Sequence, residues 1–155
     1  MNFKQRWSTL ESKRYAVLER ARDCAALTIP ALMPPEATTE QTVLPTPFQS
    51  LGARGVNNLA SKLLLSLFPP GQSNFRYSLD ATVKEQLGEG LTQVEQKLAQ
   101  REQLVSAEIE SSKIRPTIFQ LLTHLVTTGN VLLNFQKEGF RIFPLDRYVV
   151  ARAPN

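Results

Sequence analysis

The sequence predicts an α+β fold: several helices, including one long amphipathic helix, with a small antiparallel sheet near the C-terminus. Three observations carry this. Apolar residues recur at helical spacing over 5–28, 48–68, 81–113 and 116–128, which puts them on one face of each segment. Between 131 and 143 the pattern changes to two short apolar runs around Lys137-Glu138-Gly139, a hairpin pattern in which glycine supplies a positive φ. The composition is globular: 42% of the 155 residues are hydrophobic and 21% charged. A chain of this length builds one core and removes about 70% of its unfolded surface from water.

The first helix, 5–28, places Trp7, Leu10, Val17, Ala21 and Cys24 on a stripe that Arg14 interrupts. Segment 1–30 carries six basic and three acidic residues, so most of the net charge of +4 sits there. Lys4, Arg6, Lys13, Arg14, Arg20 and Arg22 form either a solvated helix face or a surface for an acidic partner or DNA phosphates. Cys24 is the sole cysteine, which rules out an intramolecular disulfide and fits a reducing compartment. Its flanks predict a half-buried structural thiol.

Pro30, Pro34 and Pro35 end this helix, and 30–47 reads as a loop in which Pro45 and Pro47 hold the chain extended. Loops of this length usually carry function or lie against a partner. The second helix, 48–68, starts near Gln49 or Ser50 and presents Val56, Leu59, Ala60, Leu63, Leu64 and Leu67 on a broad apolar face. Gly52 and Gly55 each cost it about 1 kcal/mol relative to alanine. Such glycines are kept where backbones approach closely or where the helix has not yet begun.

Phe75, Tyr77 and Leu79 alternate with polar residues and predict a short strand. A long helix over 81–113 carries Val83, Leu87, Leu91, Val94, Leu98, Val105 and Ile109 at near-heptad spacing, with Gly88 and Gly90 marking a break or a late start near Leu91. Its narrow stripe suits packing against one neighbour, within the chain in preference to another subunit. Arg115-Pro116 opens the next helix, whose apolar face is Ile118, Leu121, Leu122, Leu125 and Val126 and whose cap is Gly129. Strands follow at 131–136, 140–143 and 148–151.

Catalytic patterns are lacking. His124 is the only histidine; it lies at the margin of an apolar helix face, and no Gly-x-Ser-x-Gly elbow accompanies it. One cysteine and one histidine supply no metal-ligand spacing. There is no phosphate-binding Gly-x-x-x-x-Gly-Lys-Ser/Thr loop, and the carboxylate pairs Glu85/Glu89 and Glu108/Glu110 lie on a charged helix where solvated exposure is the natural reading. Gly52-Ala53-Arg54-Gly55 matches the Gly-x-x-Gly loop of RNA-clamping KH domains, but here the glycines follow an extended proline segment instead of joining two helices. The longest apolar run, 63–68, is too short for a membrane span, and 1–7 lacks the apolar block of a signal peptide. A non-enzymatic chain without cofactor, metal or membrane, made in the cytoplasm, is expected.

One stretch is more specific. The run from Leu44-Pro45-Thr46-Pro47-Phe48-Gln49 through Gly52-Ala53-Arg54-Gly55-Val56-Asn57-Asn58-Leu59-Ala60-Ser61-Lys62-Leu63-Leu64-Leu65 to Phe68-Pro69-Pro70 resembles the head-to-tail connector (portal) proteins of T7-like podoviruses. Arg20-Ala21-Arg22, Thr28-Ile29-Pro30, Thr127-Thr128-Gly129-Asn130 and Phe143-Pro144-Leu145-Asp146-Arg147-Tyr148 extend the likeness over the whole chain.

The resemblance implies a structural subunit of a homo-oligomeric ring, twelve copies in the virion, at one capsid vertex. Implied partners are the major capsid or scaffolding protein, the tail adaptor and the terminase, with double-stranded DNA passing through the ring. Family members are several times longer, so residues 1–155 are expected to be one α+β unit resembling the N-terminal wing region. The stem and clip are absent, as in a fragment or a split reading frame. Pro45, Pro47, Gly52, Arg54, Gly55, Asn57 and Asn58 are the implied subunit or partner contacts, Arg54 toward a carboxylate. The competing expectation is a small basic nucleic-acid-binding module using helix 5–28 and Arg54.

Overall fold

The computed structural model describes residues 2–71, 73–112, 114–136 and 139–151. Six α-helices and a two-stranded antiparallel sheet are present among them: α1 (Phe3–Ser12), α2 (Tyr15–Leu27), α3 (Leu51–Leu67), α4 (Ala81–Leu87), α5 (Leu91–Ser111), α6 (Ile114–Thr128), β1 (Leu132–Gln136) and β2 (Gly139–Phe143). The α+β expectation holds.

Helix α6 organises the core, because α2 and α3 both pack against it. Ala60 of α3 is fully buried with Ile118 and Leu122 of α6, and Leu63, Leu64, Phe68, Phe119 and Leu133 pack around them. A second cluster joins Leu18, Ala21 and Ala25 of α2 to Met33 and Leu145. Thr123 and Thr128, buried on α6, satisfy their hydroxyls by donating to the carbonyls of Phe119 and His124, each at 2.8 Å. These two bonds satisfy their hydroxyls inside the core, while the hydroxyl of Thr127, buried on the same helix, has no hydrogen-bond partner among the described residues.

The single helix expected over 5–28 is two helices. Arg14 leaves the helical region at φ −104°, ψ 5°, and the chain turns there. This break resets the helical phase, so one stripe does not run through both segments. In α2 the buried positions are Leu18, Ala21 and Ala25: Ala21 is as expected, while Leu18 and Ala25 take the places of the expected Val17 and Cys24, each one residue on. Cys24 is therefore exposed, not half-buried.

The long helix also divides. A 3-10 turn at Gly88–Gly90, with Gly88 at φ 48°, separates α4 from α5; Lys113, at the end of the predicted helix, lies outside the described residues. No residue of α5 is buried among those described. Helix α6 begins at Ile114 and ends on Gly129, whose φ of 75° is the left-handed cap read from the sequence.

The hairpin forms with Leu133 opposite Ile142 and Phe135 opposite Phe140. The Phe135 and Phe140 rings meet edge to face at 5.0 Å. The predicted turn residues Lys137 and Glu138 lie outside the described residues.

Two predicted strands do not form. Residues 75–79 find no partner strand and run along α5, where the Tyr77 amide donates to Glu102 Oε1 at 2.5 Å and Ser106 reaches Ser73 at 3.3 Å. The alternation there reflects Phe75 stacking edge to face on Tyr77, 5.5 Å between centroids. Residues 148–151 follow a 3-10 turn, Leu145–Arg147, and are extended without a ladder. The backbone carbonyls of Leu145, Asp146 and Tyr148 accept instead from the Arg14 guanidinium.

Candidate functional site

The seven residues expected to make contacts lie on the loop before α3 and along its first turns. The chain enters α3 through Ser50, whose carbonyl accepts from the Arg54 amide at 2.9 Å. Gly52 is held in place by packing. A Cβ there would run into the Leu27 carbonyl oxygen and stand 3.2 Å from Thr28 Cα. Glycine thus lets the start of α3 close on the end of α2, an intrachain close approach. Gly55, one turn on, has nothing within 4 Å of such a Cβ.

Arg54, Gly55, Asn57 and Asn58 are exposed. Pro47 is half-buried, and Pro45 lines a cleft of about 340 Å³ with Tyr15, Glu19, Arg22, Met33 and Glu36. The structure therefore sets Pro45 at a cleft beside α2 and Gly52 against the α2 terminus, half-buries Pro47, and leaves Arg54, Gly55, Asn57 and Asn58 exposed.

Sequence reasoning missed the apolar residues exposed beside them. Phe48 is 100% accessible, Leu27 74%, Leu51 71% and Leu59 48%. Large side chains left in water at this density mark a surface that a partner can cover. Helical periodicity assigned Leu59 to the apolar face and did not distinguish it from Val56 and Ala60, which are buried.

Electrostatics separate two kinds of basic residue. Arg14 Nη1 donates to the Leu145 carbonyl at 2.5 Å and also to that of Tyr148, and Nη2 donates to Asp146 at 3.2 Å. Arg22 forms an ion pair with Glu36 at 2.7 Å. Both guanidiniums thus hold the fold. Arg115 does the same at the α5–α6 junction, reaching the Phe68 carbonyl at 2.7 Å and Glu110 at 2.5 Å. Its guanidinium beside Glu110 holds that carboxyl below the usual range.

His124 is half-buried on α6, and its Nδ1 has no hydrogen-bond partner among the described residues. Burial pushes its pKa below the ordinary 6.5, with the Asp146 charge pulling the other way. The folded state therefore disfavours the imidazolium, while the unfolded chain takes up a proton as pH falls through 6.5. Stability is expected to be fully present above that pH and to decline below it. Chemical denaturation between about pH 5 and 7 checks this, because His124→Gln should flatten the slope.

No group of three or more potential metal ligands occurs among the described residues. Among them, too, no helix is long and apolar enough to cross a membrane.

Comparison with known proteins identifies the pattern. The family of the bacteriophage head to tail connecting protein matches residues 2–155. The chain is 40% identical to the portal protein of Enterobacteria phage T3 over 96% of its own length, and 39% identical to that of Escherichia phage T7 over 94%. Identity to the portal protein of Enterobacteria phage SP6 is 35% over 96%. In each case the chain spans 29% of the relative's length. With the Pro45–Pro70 run inside a match that continues through the α6 cap and the Arg14-bound turn, this chain belongs to the bacteriophage head to tail connecting protein family.

Proposed function

We propose that the chain is a structural segment of a portal subunit, corresponding to the N-terminal wing region, and that it contributes contacts within a ring at the DNA-packaging vertex of the virion. The observation that carries this is the family match across residues 2–155 together with portal-protein relatives at 35–40% identity. The role is one of geometry and assembly rather than chemistry. In this reading the ring holds twelve copies, and the full-length subunit meets capsid or scaffolding protein, tail adaptor and terminase while double-stranded DNA passes through it. Synthesis is in the host cytoplasm.

Pro45, Pro47, Gly52, Arg54, Gly55, Asn57 and Asn58 shape the contact region, with Gly52 acting inside the chain and Arg54 outward. Exposed Leu27, Phe48 and Leu51 supply its apolar part. The nucleic-acid reading loses two of its six helix cations, since Arg14 and Arg22 are engaged by backbone carbonyls and Glu36.

Light scattering paired with a gel-shift salt series tests the proposal. Masses well above the 17.4 kDa chain, with weak DNA binding, support it. A monomer that binds DNA tightly, with affinity falling steeply as salt rises, would replace it with the nucleic-acid reading.

A further inference from the structure

Arg14 is a half-buried cation without a counter-ion. Its guanidinium donates to three backbone carbonyls, yet no carboxylate lies within ion-pair distance of it among the described residues, and its Nε is buried without a hydrogen-bond partner there. A charge withdrawn from water is ordinarily balanced by an opposite one. Its exposed neighbour Lys13 forms no ion pair among the described residues either.

Both cations line a cleft of about 470 Å³ between the α1–α2 break and the stretch after the 145–147 turn. Leu10, Val17, Leu145 and Val150 form its apolar wall, and no carboxylate lines it. The Asp146 side chain lines a separate cleft, with Glu11. One wall of this cleft is also an open strand edge. Tyr148 is extended at φ −143°, ψ 157°, yet the β1–β2 hairpin is the only sheet among the described residues. Val149 and Val150 make no backbone hydrogen bond among them. An extended stretch with free main-chain groups can take a further strand, whose alternate side chains then meet the adjoining pocket.

We infer that this cleft binds an extended acidic–apolar segment of a different protein, which adds a strand along 148–151, packs an apolar side chain against Leu10 and Val17, and sets a carboxylate beside Lys13 and Arg14. Complementarity selects that occupant. A neutral strand would leave the two cations unbalanced. The phosphates of a nucleic acid would meet the cations and leave the apolar wall uncovered. No residue of the contact region before α3 lines the cleft, so the site is separate from the one assigned above.

The probe is a heptapeptide of threonine and valine around one aspartate, blocked at both ends, compared with the same peptide carrying asparagine instead. Titrated into the isotope-labelled chain and followed by NMR, the aspartate peptide should shift the amides of residues 149–151 and slow their hydrogen exchange. The asparagine peptide should bind about tenfold more weakly. Lys13→Glu should weaken the aspartate peptide by about tenfold or more, with the melting temperature unchanged because Lys13 is exposed. Equal affinity for the two peptides, or full affinity in Lys13→Glu, overturns the inference. So does the absence of binding at millimolar peptide, or binding that leaves 149–151 unprotected. A stronger response of the same amides to a duplex oligonucleotide would overturn it in favour of nucleic acid. Self-association of the chain that Lys13→Glu abolishes would overturn it in favour of a second copy, and the portal-subunit reading would stand.

Discussion

Replacing Arg14 by alanine is expected to destabilise the fold by about 3 kcal/mol, more than any other single surface charge. Its guanidinium sits at the break between α1 and α2 and donates to the carbonyls of Leu145, Asp146 and Tyr148, more than 130 residues away in sequence. Leu145 is itself 5% exposed and packs on Leu18, Ala21 and Ala25. Removing the cation leaves acceptors unpaired around a buried side chain, and such groups carry their full desolvation penalty. Lysine should recover only part of the loss, because a point charge cannot span the fork that reaches three carbonyls. Urea unfolding should show a lowered midpoint with an unchanged slope. A midpoint within error of the unaltered chain would show that the clasp contributes nothing net.

Gly52→Ala is expected to cost up to about 3 kcal/mol, the upper end for overpacking, because the added methyl runs into backbone at Leu27 and Thr28 and not into a side chain that can rotate away. Relief requires α3 to shift relative to α2, and the shift loosens Val56 and Ala60, which are buried on the following turns. The same substitution three residues later has the opposite sign for the isolated chain. The pair therefore forms an internal control, two glycines in one helix with alanine harmful at the first and favourable at the second. Thermal unfolding of both variants side by side checks it.

The elements legible in the sequence are those governed by local rules. Gly129 caps α6 because only a left-handed residue ends the helix there. Gly88 breaks the long helix because its φ of 48° suits glycine. The hairpin is legible as two short apolar runs around a glycine-containing turn, and the structure adds the register, Leu133 opposite Ile142. What could not be read depends on distant partners. Arg14 looks like a flaw in an apolar stripe until the 145–148 turn is beside it, and nothing within a helical window announces that turn. The alternation at 75–79 satisfies the strand rule, but a strand also needs a free edge, and the neighbour supplied is α5.

The candidate site divides the same way. Gly52 and Gly55 are equivalent in sequence, two helix-weakening residues three apart. Only the position of Leu27 separates an internal packing requirement from an outward-facing position. Leu27, Phe48 and Leu51 were invisible as surface features because apolar residues read as core until the packing is known.

Native mass spectrometry of the chain tests the structural-subunit account most directly, since it counts copies. The account predicts one dominant closed stoichiometry, a multiple of the 17.4 kDa chain consistent with a ring. Only the monomer mass at every concentration, or an open-ended ladder with no preferred size, would contradict it.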